Sequence, residues 1–238
     1  MIFLANPVLS KVRNLTAYSS ETATYTGVAV KSLGLVSLVT VSAFITWAGG
    51  YAGPMTTTVT AIMGLITAMA IIFRPGWAGF LAPLYAILEG MCLAAISVLF
   101  NKMYPGIVLN AVLLTFCLAL AAAAVYAKGY VKVNDRFMRM VSIATLGVFL
   151  TYLLEMVLSF FGIHFPLIHQ GGPIGIALSV VVVGIATFNL FIDYEQISQS
   201  VRQGLPAEYE WFCAFSLLVT LVWMYVEILN LLRKLRDE

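Results

Sequence analysis

Charged side chains are scarce in this chain of 238 residues: only 10% of them are Asp, Glu, Lys or Arg. Soluble globular domains carry about 25% charged residues. The hydrophobic share, 61%, is correspondingly high. This composition excludes an ordinary soluble domain. The chain also has no cluster of basic and aromatic residues of the kind that binds nucleic acid, so we expect no nucleic-acid partner.

Histidine is almost missing, which removes most enzyme chemistries. The two histidines, His164 and His169, lie five positions apart without the glutamate of a helical zinc site, and neither adjoins a Gly-x-Ser-x-Gly elbow. The Gly-x-Gly-Asp pattern of intramembrane aspartyl proteases is missing too, since Phe191 and Ile192 precede Asp193. We therefore expect no enzyme activity and no permanently bound cofactor.

Cysteine is also sparse, and its placement excludes a disulfide framework. The count is odd, and all three residues lie in apolar runs without metal-type spacing, as expected of packed free thiols: Cys92, Cys117 and Cys213.

Long apolar runs are what the chain has in abundance. A helix that crosses a bilayer needs about 20 apolar residues. Seven stretches qualify, separated by Gly, Pro and Asn turns. They are Gly27–Trp47, Met55–Phe73, Gly79–Phe100, Gly106–Ala127, Met140–Phe161, Pro173–Phe191 and Trp211–Leu232. The sequence therefore predicts an all-α, multi-pass membrane protein with seven transmembrane helices in a lipid bilayer.

The chain divides into a polar N-terminal arm, residues 1–26, and a transmembrane domain, residues 27–238. The arm is too polar for a secretory leader, so we expect no cleaved signal peptide. Most Lys and Arg residues fall on the side of the N-terminus, which the positive-inside rule places in the cytoplasm. The basic tail at Arg233, Lys234 and Arg236 opposes this assignment. A six-span topology with both ends inside would remove the conflict.

Four acidic residues lie within or at the edges of the apolar stretches: Glu89, Glu155, Asp193 and Glu227. An ionised carboxylate at the centre of a membrane helix costs roughly 2.5–3.5 kcal/mol on insertion scales. A chain that keeps several such groups is expected to use them for protons or cations.

Asp193 and Glu227 form the first candidate site, because they lie on consecutive antiparallel spans. Two carboxylates that share a low-dielectric site titrate as a unit, and a site of this kind can act as a proton-controlled latch. Its oxygens could also bind Ca²⁺ transiently. However, Glu227 lies about 24 Å along a seventh helix that begins near Trp211, so Thr220 is an alternative neighbour of Asp193. In a simpler reading, Glu227 pairs with Arg233 or another C-terminal base.

Three further residues are candidates. Glu89 is mid-span and is either a cation or proton ligand in a cavity, or a protonated group bonded to a neighbouring helix. Glu155 is similar but nearer a span end. Arg74 could reach a carboxylate at the cytoplasmic end of the bundle, or it is a positive-inside anchor.

Three segments resemble the Bax-inhibitor family of membrane proteins, in its bacterial branch. They are Leu88–Gly90 with its continuation Ala94–Ser97, Phe191–Ile197 around an aspartate, and Tyr225–Leu231 in the last span. The seven-span layout is similar as well. The resemblance implies a bundle whose seventh helix is central, in the bacterial inner membrane.

The resemblance also implies a pH-sensitive calcium leak. In that reading Asp193 and Glu227 are the paired sensor and Arg74 is the latch. A glutamate then stands where the family has an aspartate, and an ungapped placement puts Thr220 opposite Asp193 instead. Two alternatives remain open: a regulatory protein without transport, acting through a membrane protease or a stress-response partner, and a proton-coupled carrier.

Overall fold

The computed structural model describes residues 21–159 and 172–237. Within those ranges the chain forms seven long helices and no strand. All seven are long and apolar enough to cross a membrane, which confirms the predicted fold class. The helices are α1 (Tyr25–Ala48), α2 (Pro54–Phe73), α3 (Ala78–Met103), α4 (Ile107–Ala127), α5 (Asp135–Ser159), α6 (Pro173–Arg202) and α7 (Tyr209–Arg236). Most of the predicted N-terminal arm, and both histidines, lie outside the described residues.

Local chemistry sets the helix ends. The Thr24 side chain caps α1 by accepting a hydrogen bond from the Gly27 amide at 2.9 Å. Pro54 occupies the first turn of α2, where its missing N–H costs nothing. Before α4, Gly106 has φ = 81°, a left-handed conformation that favours glycine.

The sixth helix is longer than its apolar run. It continues past Phe191 to Arg202, and Gly204 follows with φ = 62°. Asp193 is therefore inside a helix and not at its end. The apolar pattern stops at Phe191 because it reports contact with lipid, whereas helical hydrogen bonding continues through the polar turns that follow.

The described residues form two compact units. The first consists of the described residues within Met1–Ile96 and Glu195–Leu218, and the second of those within Ser97–Tyr194 and Val219–Glu238. Three helices, α3, α6 and α7, contribute residues to both. The most buried is α7, with 56% of its apolar window inside the protein, against 11% for α1 and for α5. Among the seven helices, α7 therefore has the largest buried share of its apolar window.

In the first unit, α1 and α3 pack closely. A β-carbon at Gly90 would overlap the Ser42 hydroxyl and the Val39 carbonyl, so only glycine permits this approach. The start of α1 is also tied to the connector before α7, since the Ala23 amide donates to the Leu205 carbonyl at 2.7 Å.

Candidate functional site

The pairing of α6 with α7 in the second unit is fixed by one side chain. The Lys234 ammonium donates to the Ser179 hydroxyl at 2.8 Å and to the Gly175 carbonyl at 3.1 Å. Lys234 and Ser179 are both buried. This contact joins the last turns of α7 to the first turns of α6, so the two helices run antiparallel.

From that contact, steps of seven residues along both helices keep to the facing sides, because seven residues complete two helical turns. The first step places Ala186 opposite Glu227, and the second places Asp193 opposite Thr220. All four residues are buried, as a shared seam requires. Glu227 of α7 therefore faces the small side chain of Ala186 on α6. One step further along, Asp193 of α6 faces the hydroxyl of Thr220 on α7.

The same register holds in the first unit, where the Ser200 hydroxyl and the Cys213 thiol lie 3.6 Å apart. A seven-residue step is about 10 Å along a helix, so Glu227 and Asp193 stand on successive levels of the seam. The register favours Thr220 as the neighbour of Asp193, and it does not favour direct contact between the two carboxylates.

Glu227 is bound by neutral donors. The Tyr152 hydroxyl of α5 donates to its two carboxylate oxygens at 2.9 and 3.0 Å, and the Trp223 indole N–H donates at 3.0 Å. The glutamate is only 3% exposed. Two donors from two helices thus hold this carboxylate in one orientation inside a membrane-spanning segment.

A cavity of about 320 Å³ lies between α5, α6 and α7 in the second unit. Four ionisable side chains line it, two acidic and two basic: Glu155, Glu227, Arg233 and Lys234. The remaining wall is polar at Thr151, Tyr152, Ser179 and Asn230 and otherwise consists of Gly147 and aliphatic side chains. Lys234 is within electrostatic range of both glutamates. Sequence reasoning placed Glu155 and Glu227 on separate spans, and the structure brings them to one cavity.

Asp193 and Thr220 are not among the residues that line this cavity. Both are buried, with 6% and 8% of their surface exposed. Among the described residues, no group of three His, Cys, Asp or Glu side chains is arranged to hold a metal ion. A cation at this site would therefore meet at most two carboxylates at a time.

The other predicted residues belong to the first unit. Glu89 is half-buried in α3, where the Tyr85 hydroxyl bonds to its carboxylate, and the carboxylate faces Gly64 of α2. Arg74 caps the end of α2 and is exposed, with its guanidinium 4.7 Å from the centre of the Trp77 ring. Stacking on an aromatic ring near a span end is typical of an interfacial anchor.

A family model described as Bax inhibitor 1 like matches residues 6–237. The chain belongs to the Bax inhibitor 1 like family. This confirms the predicted resemblance and supports a multi-pass membrane protein of that family. Among curated proteins, none matches the chain.

Sequence reasoning about this Bax inhibitor 1 like protein missed three residues of the cavity and its seam: Lys234, Ser179 and Tyr152. Lys234 was assigned to a basic tail, although it is 3% exposed and lies inside α7. A signal was present, because Thr220, Glu227 and Lys234 follow one another at intervals of seven. Polar residues at that interval inside an apolar helix share one face and indicate a polar seam.

A fourth residue, Glu210, was assigned to a connector but begins the buried part of α7. Its carboxylate forms an ion pair with Lys31 of α1. It also accepts hydrogen bonds from the Thr24 amide at 2.7 Å and the Thr24 hydroxyl at 3.1 Å. No spacing rule connects positions 24, 31 and 210, so only the tertiary fold reveals this cluster.

Proposed function

We propose that the protein is a leak pathway for Ca²⁺ or a similar cation in the bacterial inner membrane, controlled by protons. The N-terminus faces the cytoplasm, and the protein is neither an enzyme nor the carrier of a permanent cofactor. Its partners are the lipid bilayer, protons and the cation. The observation that carries the proposal is the shared cavity of Glu155 and Glu227 at membrane depth.

Burial of several carboxylates in a membrane helix bundle costs free energy, and acidic residues kept at such positions usually mark a path for ions or protons. Glu155, Glu227 and Asp193 are each at least nine-tenths buried. Carboxylate oxygens are the ligands that Ca²⁺ prefers, and Ca²⁺ tolerates irregular geometry. Asp193, about 10 Å further along the α6–α7 seam, would provide a second binding position for the cation, called here a second station. A cation moving between stations would always remain near an acidic group.

Proton control follows from the same proximity. Glu155 and Glu227 line one cavity, so a proton taken up there changes the charge that a cation in the cavity meets. Asp193 and Glu227 would then serve as sensor and transient cation ligands on successive levels rather than as a touching pair. Arg74 as a latch and Glu89 as a pathway residue are part of the same proposal, with Thr220 as the hydroxyl neighbour of Asp193.

The proposal is tested with purified protein in dye-loaded vesicles, in which the initial rate of Ca²⁺ entry is measured from pH 5 to pH 8. We expect a flux that depends on pH and that falls in Glu227→Gln and in Asp193→Asn. The matched control is Glu208→Gln, which removes a carboxylate that is exposed. Equal flux and equal pH profile in the Asp193→Asn, Glu227→Gln double variant would reject the sensor and ligand roles.

A second candidate function is supported by the neutral donors around Glu227. Tyr152 and Trp223 donate hydrogen bonds to this carboxylate, and the basic side chain of Lys234 is near it. These groups stabilise the carboxylate without any external ion. Such a cluster suits a regulatory membrane protein that does not transport and acts on a membrane protease or a stress-response partner. Vesicles that stay tight to Ca²⁺ at every pH, with a membrane protein that co-purifies stoichiometrically, would favour this function over the leak.

A further inference from the structure

We propose that Lys234 is a tethered cation that occupies the acidic cavity and limits the entry of external cations. This inference rests on the proposed leak function and names the side chain that restrains it. Lys234 would compete with Ca²⁺ for the field of Glu155 and Glu227. The chain would thus carry its own blocking ion at the end of α7.

The contacts of the Lys234 ammonium support this role. It is held by two neutral acceptors, the Ser179 hydroxyl and the Gly175 carbonyl, both on α6. A lysine with 3% exposure inside a bilayer-spanning helix requires opposite charge nearby. Glu155 and Glu227 supply that charge within electrostatic range.

The charges around the cavity explain why one side chain has a large effect. From α5 the cavity receives Glu155, and from α7 it receives Glu227, Arg233 and Lys234, whereas α6 contributes the Ser179 hydroxyl and no charge. With all four groups ionised the lining is neutral. Without Lys234 the lining carries one net negative charge, and a divalent cation is then attracted more strongly than by the neutral lining.

Lysine also suits a replaceable blocker better than arginine does. Its ammonium is a compact point charge on a flexible four-carbon stem, and it does not form the two parallel bonds of a guanidinium with a carboxylate. Arg233 is its neighbour in sequence but is only half-buried. Removal of Lys234 is therefore the change that leaves the two glutamates of the cavity available to an external cation.

The test uses the full chain in Ca²⁺-dye vesicles with Lys234→Met, which keeps the length of the side chain and removes its charge. We expect the initial Ca²⁺ flux to rise by at least about tenfold, because a unit charge is lost in a poorly screened site. Lys234→Arg keeps the charge and should stay near the original rate. Lys102→Met, which removes an exposed lysine from the end of α3, is the matched control and should have no effect.

A second readout does not require transport. In detergent, Ca²⁺ should raise the thermal unfolding temperature of Lys234→Met more than that of the original protein, because a ligand that binds the native state stabilises it. If the original protein conducts and Lys234→Met conducts equally, the blocker role is overturned while the leak survives. If no variant conducts, the proposed leak is wrong. If Ca²⁺ raises the unfolding temperature of Lys234→Met and of the original protein equally, the blocking role of Lys234 is wrong as well.

Ser179→Ala decides the question if Lys234→Met does not fold. This variant removes one of the two acceptors that hold the ammonium and keeps the charge. We expect a smaller rise in Ca²⁺ flux, of about two- to threefold, since the Gly175 carbonyl remains as an acceptor for the ammonium. An unchanged flux in folded Ser179→Ala would overturn the proposal.

Discussion

Glu210, at the start of α7, and Glu227, near its end, are buried acids on one helix with different neighbours. Glu210 is held by a basic side chain, Lys31, and by the amide and hydroxyl of Thr24. Glu227 is held by a phenol and an indole, and it lines a cavity. The first acid is in direct contact with a base, whereas the second is bonded to neutral donors beside a cavity.

The difference separates a structural role from a functional one. Glu210, in contact with a base and with the amide and hydroxyl of Thr24, ties the start of α7 to the start of α1. An ion would have to break those bonds to reach the carboxylate. An acid held only by neutral donors can exchange a proton or a cation without loss of its support. The sequence positions alone do not reveal this distinction, since both residues are glutamates in the same apolar helix.

The largest expected effect, an all-or-none one, comes from cross-linking across the α6–α7 seam. In a background without the native cysteines, Asp193→Cys with Thr220→Cys should form a disulfide on oxidation. Asp193→Cys with Glu227→Cys should not, because a disulfide requires β-carbons about 3.5–4.5 Å apart and the second pair is offset by a seven-residue step. Mass spectrometry of the linked peptides is the measurement. Cross-linking of the second pair alone would refute the register and restore the touching sensor pair.

The next largest effect concerns the structural acid. Glu210→Gln should lower the free energy of unfolding by about 3 kcal/mol, because it leaves a base without its partner. This is the low end for a buried pair, since the Lys31 side chain is 23% exposed and can turn toward the interface. The midpoint of SDS-induced unfolding is the measurement.

Glu208→Gln is the control for Glu210→Gln, and it should change the free energy of unfolding by less than about 0.5 kcal/mol because Glu208 is exposed. A loss in Glu210→Gln as small as that of the control would mean that the ion pair contributes nothing. The contrast between the two ends of α7 would then disappear.

A smaller effect is expected from the glycine beneath Glu210. A β-carbon at Gly27 would overlap the Glu210 carboxylate, so Gly27→Ala should cost about 2 kcal/mol as the carboxylate shifts away from its donors. Gly34→Ala on the same helix meets no atom within 4 Å and should be neutral or slightly stabilising. Equal behaviour of the two variants in the SDS assay would contradict the close packing of α1 against Glu210.

The fold could be predicted from the sequence because the hydrocarbon core of a bilayer requires long apolar helices. Twenty apolar residues bounded by Gly, Pro or Asn form a spanning helix, and seven such runs gave seven helices. At the end of α6 the apolar rule alone stops at Phe191, but Asp193, Gln196 and Ser200 keep a helical spacing and Gly204 supplies a stop. These signals predict the continuation to Arg202 that the structure has.

The candidate site could be predicted only in part from the sequence. Glu155, Asp193 and Glu227 could be singled out because a buried carboxylate in an apolar run is costly. Their grouping could not, since a seven-residue shift between α6 and α7 decides whether Glu227 faces Asp193 or Ala186. Lys234 was missed for another reason: near a C-terminus, a lysine next to Arg233 resembles a solvated tail. Its seven-residue spacing from Glu227 is the sequence signal for a shared helix face, and its contact with Ser179 shows that it is buried.

The smallest expected effect tests whether Glu227 depends on neutral donors. Tyr152→Phe keeps the ring and removes the hydroxyl that donates to the carboxylate. We expect a loss of about 1.5 kcal/mol in the free energy of unfolding, the low end for a hydrogen bond to a charged group, because the Trp223 donor remains. Tyr130→Phe, on a side chain that is 75% exposed, should leave the SDS midpoint unchanged. A loss as large as that of Glu210→Gln would show that Glu227 is as firmly fixed as Glu210, and a carboxylate so fixed would be a poor station for a moving ion.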